Sequence, residues 1–223
     1  MRLPLHLVVL LAGICPAAAP AGDFQAIAEK TAPPEAIADA ITEVLGDDSI
    51  RVRHGADDLC TVWFRKSIRA RATAEQAQNG LTYREIPTGA LVGVIHLPRK
   101  WIDFRKQEIP PGVYTLRLAI QPTSDDHSDT APHKEFCLLC AADRDVKPDP
   151  LEMKTLVELS AASHDAKHPA VLLLFPNLKP AEAPEVSAKG NGLFVLSVKR
   201  SITAEGATGF IGFALTIAGH RAD

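Results

Sequence analysis

Aromatic side chains are scarce in this 223-residue chain, at 5%, and only four residues are cysteine. So few cysteines exclude a disulfide-dense miniprotein. With 46% hydrophobic and 23% charged residues, the chain is neither a disordered polymer nor a collagen-like repeat. It also lacks an excess of positive charge: 24 Lys and Arg face 27 Asp and Glu, for a net charge of −3. A nucleic-acid binder would carry a basic face instead. No apolar run reaches the ~20 residues that span a bilayer. There is no Gly-x-Ser-x-Gly elbow, no P-loop and no His-Glu-x-x-His, and no internal repeat.

What is present begins with a leader. Arg2 supplies a positive charge, Leu3 to Ile14 is apolar apart from Pro4 and His6, and Cys15 to Gly22 is rich in small residues. That order describes a secretory signal peptide over residues 1–21, cleaved after Ala21, because a cut after Ala19 would place Pro20 just past the scissile bond. Lipidation at Cys15 is the lesser alternative, since a lipobox wants Gly, Ala or Ser where Ile14 stands. Removing residues 1–21 takes away one charged residue, Arg2, and leaves Cys60, Cys137 and Cys140. An odd number of cysteines in an oxidising compartment allows one disulfide, Cys60 with Cys137 or Cys140, or a site that uses all three.

Residues 22–48 predict an N-terminal helical segment. Asp23 to Thr31 carries helix formers, and Ile37, Ile41, Val44 and Leu45 recur at helical spacing between Pro33-Pro34 and Gly46. From residue 49 to 223 the pattern predicts a β-sandwich domain. Ile50 to Lys66 reads as a hairpin around His54–Asp58, and Leu91 to Leu97 as a strand. After Pro110-Pro111-Gly112, residues Tyr114, Leu116, Leu118 and Ile120 face one way and Thr115, Arg117, Ala119 and Gln121 the other. That alternation predicts a half-buried strand whose second side is exposed. Further strands are expected over Glu135–Ala142, Val171–Phe175, Leu193–Arg200 and Gly209–Ala218, with a helix from Leu151 to Ala162. The fold class is mainly β: an antiparallel β-sandwich with one or two peripheral helices.

The runs Pro110-Pro111-Gly112-Val113-Tyr114-Thr115-Leu116-Arg117, Asp126-His127, Ala131-Pro132 and Glu135-Phe136, with Trp63-Phe64-Arg65-Lys66 and His168-Pro169-Ala170-Val171, resemble a group of secreted bacterial proteins of unknown function. The resemblance covers most of the chain beyond the leader. It implies a secreted sandwich-like domain and no particular activity. The chain departs from that pattern at Cys137-Leu138-Leu139-Cys140, where the group would have a plain apolar strand.

Cys137 and Cys140 are not a haem attachment site, because Ala141 stands where His is needed. A thioredoxin-like dithiol wants a helix N-terminus, and this pair falls in a strand. Residues three apart on a strand point to opposite faces, which argues against one zinc reaching both sulfurs and for small buried side chains. The densest polar cluster is Asp125, Asp126, His127, Asp129 and His133. It suits a divalent cation or acid–base work, or else a solvated loop whose Asp side chains cap their own turn. It lacks the EF-hand's spacing and glycine. His164 and His168 flank a helix end, where imidazole suits the dipole. Trp63 and Trp101 offer either a sugar platform or core packing.

The candidate binding residues are therefore Asp126, His127, His133, Glu135 and His168, with no catalytic residue and no cofactor assigned. The expectation is a secreted or periplasmic, non-catalytic binding or accessory module of the bacterial cell envelope, facing an envelope polymer or protein. The alternative is a metal-binding protein or metal-dependent hydrolase in which Asp126, His127 and His133 hold a divalent metal.

Overall fold

The computed structural model describes residues 22–121, 131–165 and 168–220. Two sheets pack face to face. The larger is wholly antiparallel, with strands β1 (Phe24–Glu29), β2 (Leu45–His54), β3 (Asp57–Arg65), β5 (Leu91–Leu97), β8 (Gly112–Ile120), β9 (Glu135–Ala141) and β10 (Ala170–Leu173) in that spatial order. The smaller holds β11 (Glu185–Ala188), β12 (Phe194–Ala204) and β13 (Ala207–Ala218), with β4 (Ile68–Arg69) running parallel to the far end of β12. A ribbon of β6 (Trp101–Ile102) and β7 (Glu108–Ile109) stands apart. Helices are short: α1 (Asp39–Thr42), α2 (Ala74–Asn79) and α3 (Met153–Ala161). The mainly β, antiparallel sandwich expected from the sequence is the fold found.

The core between the sheets is made by alternate residues of each strand. Val62 and Phe64 of β3, Leu116 and Leu118 of β8, and Cys137 and Leu139 of β9 meet Leu196 and Val198 of β12 and Phe213 and Leu215 of β13. The long β12–β13 hairpin turns on Glu205 and Gly206, both at positive φ (48° and 81°), the conformation that a two-residue hairpin turn demands. One corner of the sandwich is sealed by hydrogen bonds, because the chain leaving β10 donates from Phe175 to the Ala214 carbonyl at 2.9 Å. At the opposite corner, Phe24 of β1 stacks on Phe194 of β12 with ring centroids 4.3 Å apart.

Two expectations are corrected. Phe24–Glu29 is an edge strand paired along its whole length with β2, not a helix. Its pairing with Ser49–His54 and the stacking of Phe24 outweigh a helix preference that is worth only tenths of a kcal/mol per residue. Of residues 34–45, only Asp39–Thr42 is helical. Yet Ile37, Ile41 and Leu45 are all buried, against Trp63, Leu91 and Val94 on the outer face of the larger sheet. The helical spacing found the right side chains and overstated the helix.

The second correction concerns the outer face of β8. Thr115, Arg117 and Ala119 are completely buried, not exposed. The chain from Ala142 through α3 lies across this side, and Leu156 closes over Ala119, Leu138 and Cys140. The larger sheet is thus covered on both faces over much of its width.

Candidate functional site

Three polar constellations stand out in the fold, two of them buried. Arg117 lies between β8 and the chain at 145–149. Its Nε and Nη2 each donate to Asp145 at 2.7 Å, Nη1 donates to the Gly89 and Asp149 carbonyls at 3.0 and 2.6 Å, and Nη2 also donates to the Lys147 carbonyl. Thr115 donates its hydroxyl to the same Asp145 carboxylate. Arg65 takes the carbonyl between those two, that of Pro148, at 2.9 Å. Every N–H of Arg117 is engaged, so the group fastens a loop and has nothing left for a ligand.

Asp103 is equally complete. It accepts from the backbone N–H groups of Arg105 and Gln107 at 2.8 Å each, from the Gln107 amide at 2.8 Å, and from the Val171 N–H at 3.0 Å. It shapes the turn between β6 and β7 and ties that ribbon to the edge of β10. Among the described residues, Cys60, Cys137 and Cys140 are free and buried. Cys60 on β3 is separated from Cys137 and Cys140 on β9 by β5 and β8, which at ~4.8 Å per strand is about 14 Å. The disulfide expected from Cys60 to Cys137 or Cys140 therefore does not form, as a bridge needs Cα atoms within about 7 Å. Burial pushes the Cys60 thiol up to about 12 and, with Asp145 beside it, Cys140 also to about 12. Thiols so protonated are not nucleophiles.

The third constellation is open. A cleft of about 270 Å³ runs beside the outer edge of β13, lined by Leu81–Arg84, Glu135, Pro176–Leu178 and Gly212. One wall is a capped turn: the Thr82 N–H donates to the Glu85 carboxylate at 2.8 Å, while the Thr82 Oγ1 accepts from the Arg84 N–H at 3.3 Å. That turn sends Tyr83 inward and Arg84 outward. The Tyr83 hydroxyl donates to the Phe175 carbonyl at 2.8 Å and accepts from the Ala214 N–H at 3.0 Å. On the other wall, Asn177 donates to the Phe213 carbonyl at 3.0 Å. Its own carbonyl lies where a Cβ on Gly212 would be, at 2.1 Å, so only glycine allows this approach. Leu178, 65% exposed, forms the lip. Arg84 Nε stands 3.7 Å from Glu135 Oε1, with the arginine side chain 74% exposed and the glutamate 15%.

Of the candidate residues, Glu135 lines this cleft and His133 stands beside it, its ring edge-on to Phe175 at 4.6 Å. Burial lowers the His133 pKa, and Glu135 opposes that shift. His168 is exposed beyond the other end of the β9–β10 pair, where Ala170 faces Leu139, roughly 20 Å from Glu135 along the strand. Asp126 and His127 lie outside the described residues. Among the described residues, no group of three or more His, Cys, Asp or Glu side chains gathers as a metal site would. Both tryptophans are tied into the scaffold, Trp63 donating to the Thr31 carbonyl at 2.8 Å and Trp101 to that of Ile217 at 3.2 Å. Arg84, Leu178 and the cleft itself escaped sequence reasoning. The Thr82-x-x-Glu85 capping box was a visible signal for the turn that presents Arg84.

No family model matches the chain, and neither a curated protein nor a solved structure matches it.

Proposed function

We propose that this protein is a non-catalytic binding module, exported to the envelope or beyond, whose recognition element is the cleft beside β13. One observation carries this reading. The scaffold's buried arginine and aspartates are held in complete hydrogen-bond sets, whereas Arg84, Leu178 and the cleft between them are left open beside β13. A concave, mostly apolar site with few polar groups is the common form of a binding site. The leader at 1–21 supports export, and no helix of the described residues is long and apolar enough to cross a membrane. The partner in this reading is a polymer or protein of the cell envelope.

The test is partition of the exported protein between soluble and envelope fractions. The parent should sediment with the envelope, and Leu178→Asp, a change at an exposed position, should release it while leaving the melting temperature in place. Equal partition of parent and variant would remove the cleft from the function. Turnover in a broad hydrolase screen that is lost in Leu178→Asp would replace binding with catalysis.

A further inference from the structure

We infer that the cleft beside β13 receives one apolar side chain of an extended, uncharged polypeptide segment, with Arg84 and Glu135 taking the backbone polar groups next to it. This rests on the binding reading above and names its ligand. An apolar cavity of ~150 Å³ holds a benzene ring, so about 270 Å³ accommodates a Leu- or Phe-sized side chain but is small for a cofactor.

The lining then selects among ligand classes. Sugars are favoured by exposed aromatic faces, and among the described residues that line the cleft the one aromatic ring is withdrawn. Tyr83 is 5% exposed, with its hydroxyl fixed between Phe175 and Ala214. The walls at Leu81, Pro176 and Leu178 are aliphatic. A small anion would be drawn to Arg84 but repelled by Glu135, whose carboxylate stands within 4 Å of that guanidinium, and a cation would meet the converse. A net-neutral pair offers one set of donors and one set of acceptors side by side. That is what a peptide backbone presents in reverse, a carbonyl to Arg84 and an N–H to Glu135. Main-chain pairing with β13 itself is closed at this point, because Asn177 and Tyr83 already hold the edge groups of Phe213 and Ala214. Recognition therefore goes through the side chain and the charged pair, not by adding a strand.

The probe is a capped pentapeptide, acetyl-Ser-Thr-Phe-Thr-Ser-amide, with its Ala-centred analogue as control, titrated into the full protein and followed by backbone amide shifts. The Phe peptide should move the Leu81–Arg84 and Asn177–Leu178 signals, and the Ala peptide should bind roughly tenfold or more weakly. Arg84→Gln and Glu135→Gln should each weaken the Phe peptide about fivefold. Binding should change little between about 50 and 300 mM salt, because the pair carries no net charge. Equal binding of the two peptides, shifts elsewhere, or none at millimolar peptide would overturn the inference. If the parent still sediments with envelope and Leu178→Asp does not, the binding reading survives and only the peptide ligand falls. If sedimentation fails as well, both fall.

Discussion

Arg117 uses all five of its N–H groups inside the protein, and Asp145 receives three hydrogen bonds in return. Both are buried, at 0% and 2% exposure. Breaking such a pair leaves a charge and several carbonyls without partners in a poorly solvated place, which costs about 3–5 kcal/mol. Arg117→Ala should therefore lower the urea midpoint by more than ~1 M at ordinary denaturant slopes. Arg117→Lys should not restore it, because one ammonium cannot span the two oxygens of Asp145 and three carbonyls. Arg51 provides the contrast. It pairs with Glu29 at 3.0 Å while 37% exposed, and a bridge of that kind is worth at most about 1 kcal/mol. A midpoint for Arg117→Ala close to that of Arg51→Ala would mean the buried network is not holding the 145–149 loop.

Among the elements, the β6–β7 ribbon shows what one carboxylate can organise. Asp103 fixes the turn that carries Lys106 at φ 65°, and it also accepts the Val171 N–H on the exposed side of β10. Asp103→Ala should cost roughly 2–4 kcal/mol, since four donors lose their acceptor. It should also uncover a sheet edge, so light scattering on mild heating should rise earlier in the variant than its loss of stability alone explains. Unchanged scattering and melting would show that the ribbon is incidental to the edge. Nothing local in Ile102-Asp103-Phe104 announces this, because the Val171 contact joins residues 68 apart in sequence. The β2–β3 hairpin, the inward face of β8, the short apolar run of β10 and the turn at Glu205-Gly206 each follow from neighbours in sequence. Burial of Arg117 depends on a loop arriving from residues 142–151, and the strand at Phe24–Glu29 depends on a partner at Ser49–His54. The cleft needs residues near 82, 135, 177 and 212 together, so its existence was not legible although Glu135 was singled out.

At the scale of the whole molecule, the larger sheet lies between the smaller sheet on one side and the segments around α1 and α3 on the other, and the thiols sit within these layers. Cys137 faces the core between the sheets, while Cys140 faces the cluster under α3, as residues three apart on a strand must. Unfolding exposes Cys60, Cys137 and Cys140 together, and that links stability to alkaline pH. The ordinary thiol value is 9.0, and burial raises Cys60 and Cys140 to about 12 and Cys137 further. A group whose pKa is raised by folding stabilises the native state fully below its unfolded value and loses that contribution as pH climbs towards its folded value. Above pH 9 the unfolded chain releases three protons that the native chain retains, a loss of roughly 4 kcal/mol per pH unit. Burial raises the Tyr83 hydroxyl too, and this steepens the loss above pH 10. Against a total stability of ~5–15 kcal/mol, the native state should give way within two to three units above pH 9. Near neutral pH, a chromogenic thiol reagent should find no reactive group in the folded protein. In strong denaturant it should find three if the proposed cleavage after Ala21 removes Cys15. One thiol instead of three would restore a disulfide to the chain, and four would mean that the leader is retained. A flat stability between pH 9 and 11 would place at least two of the cysteines in contact with water, and the layered packing around β9 would then be wrong.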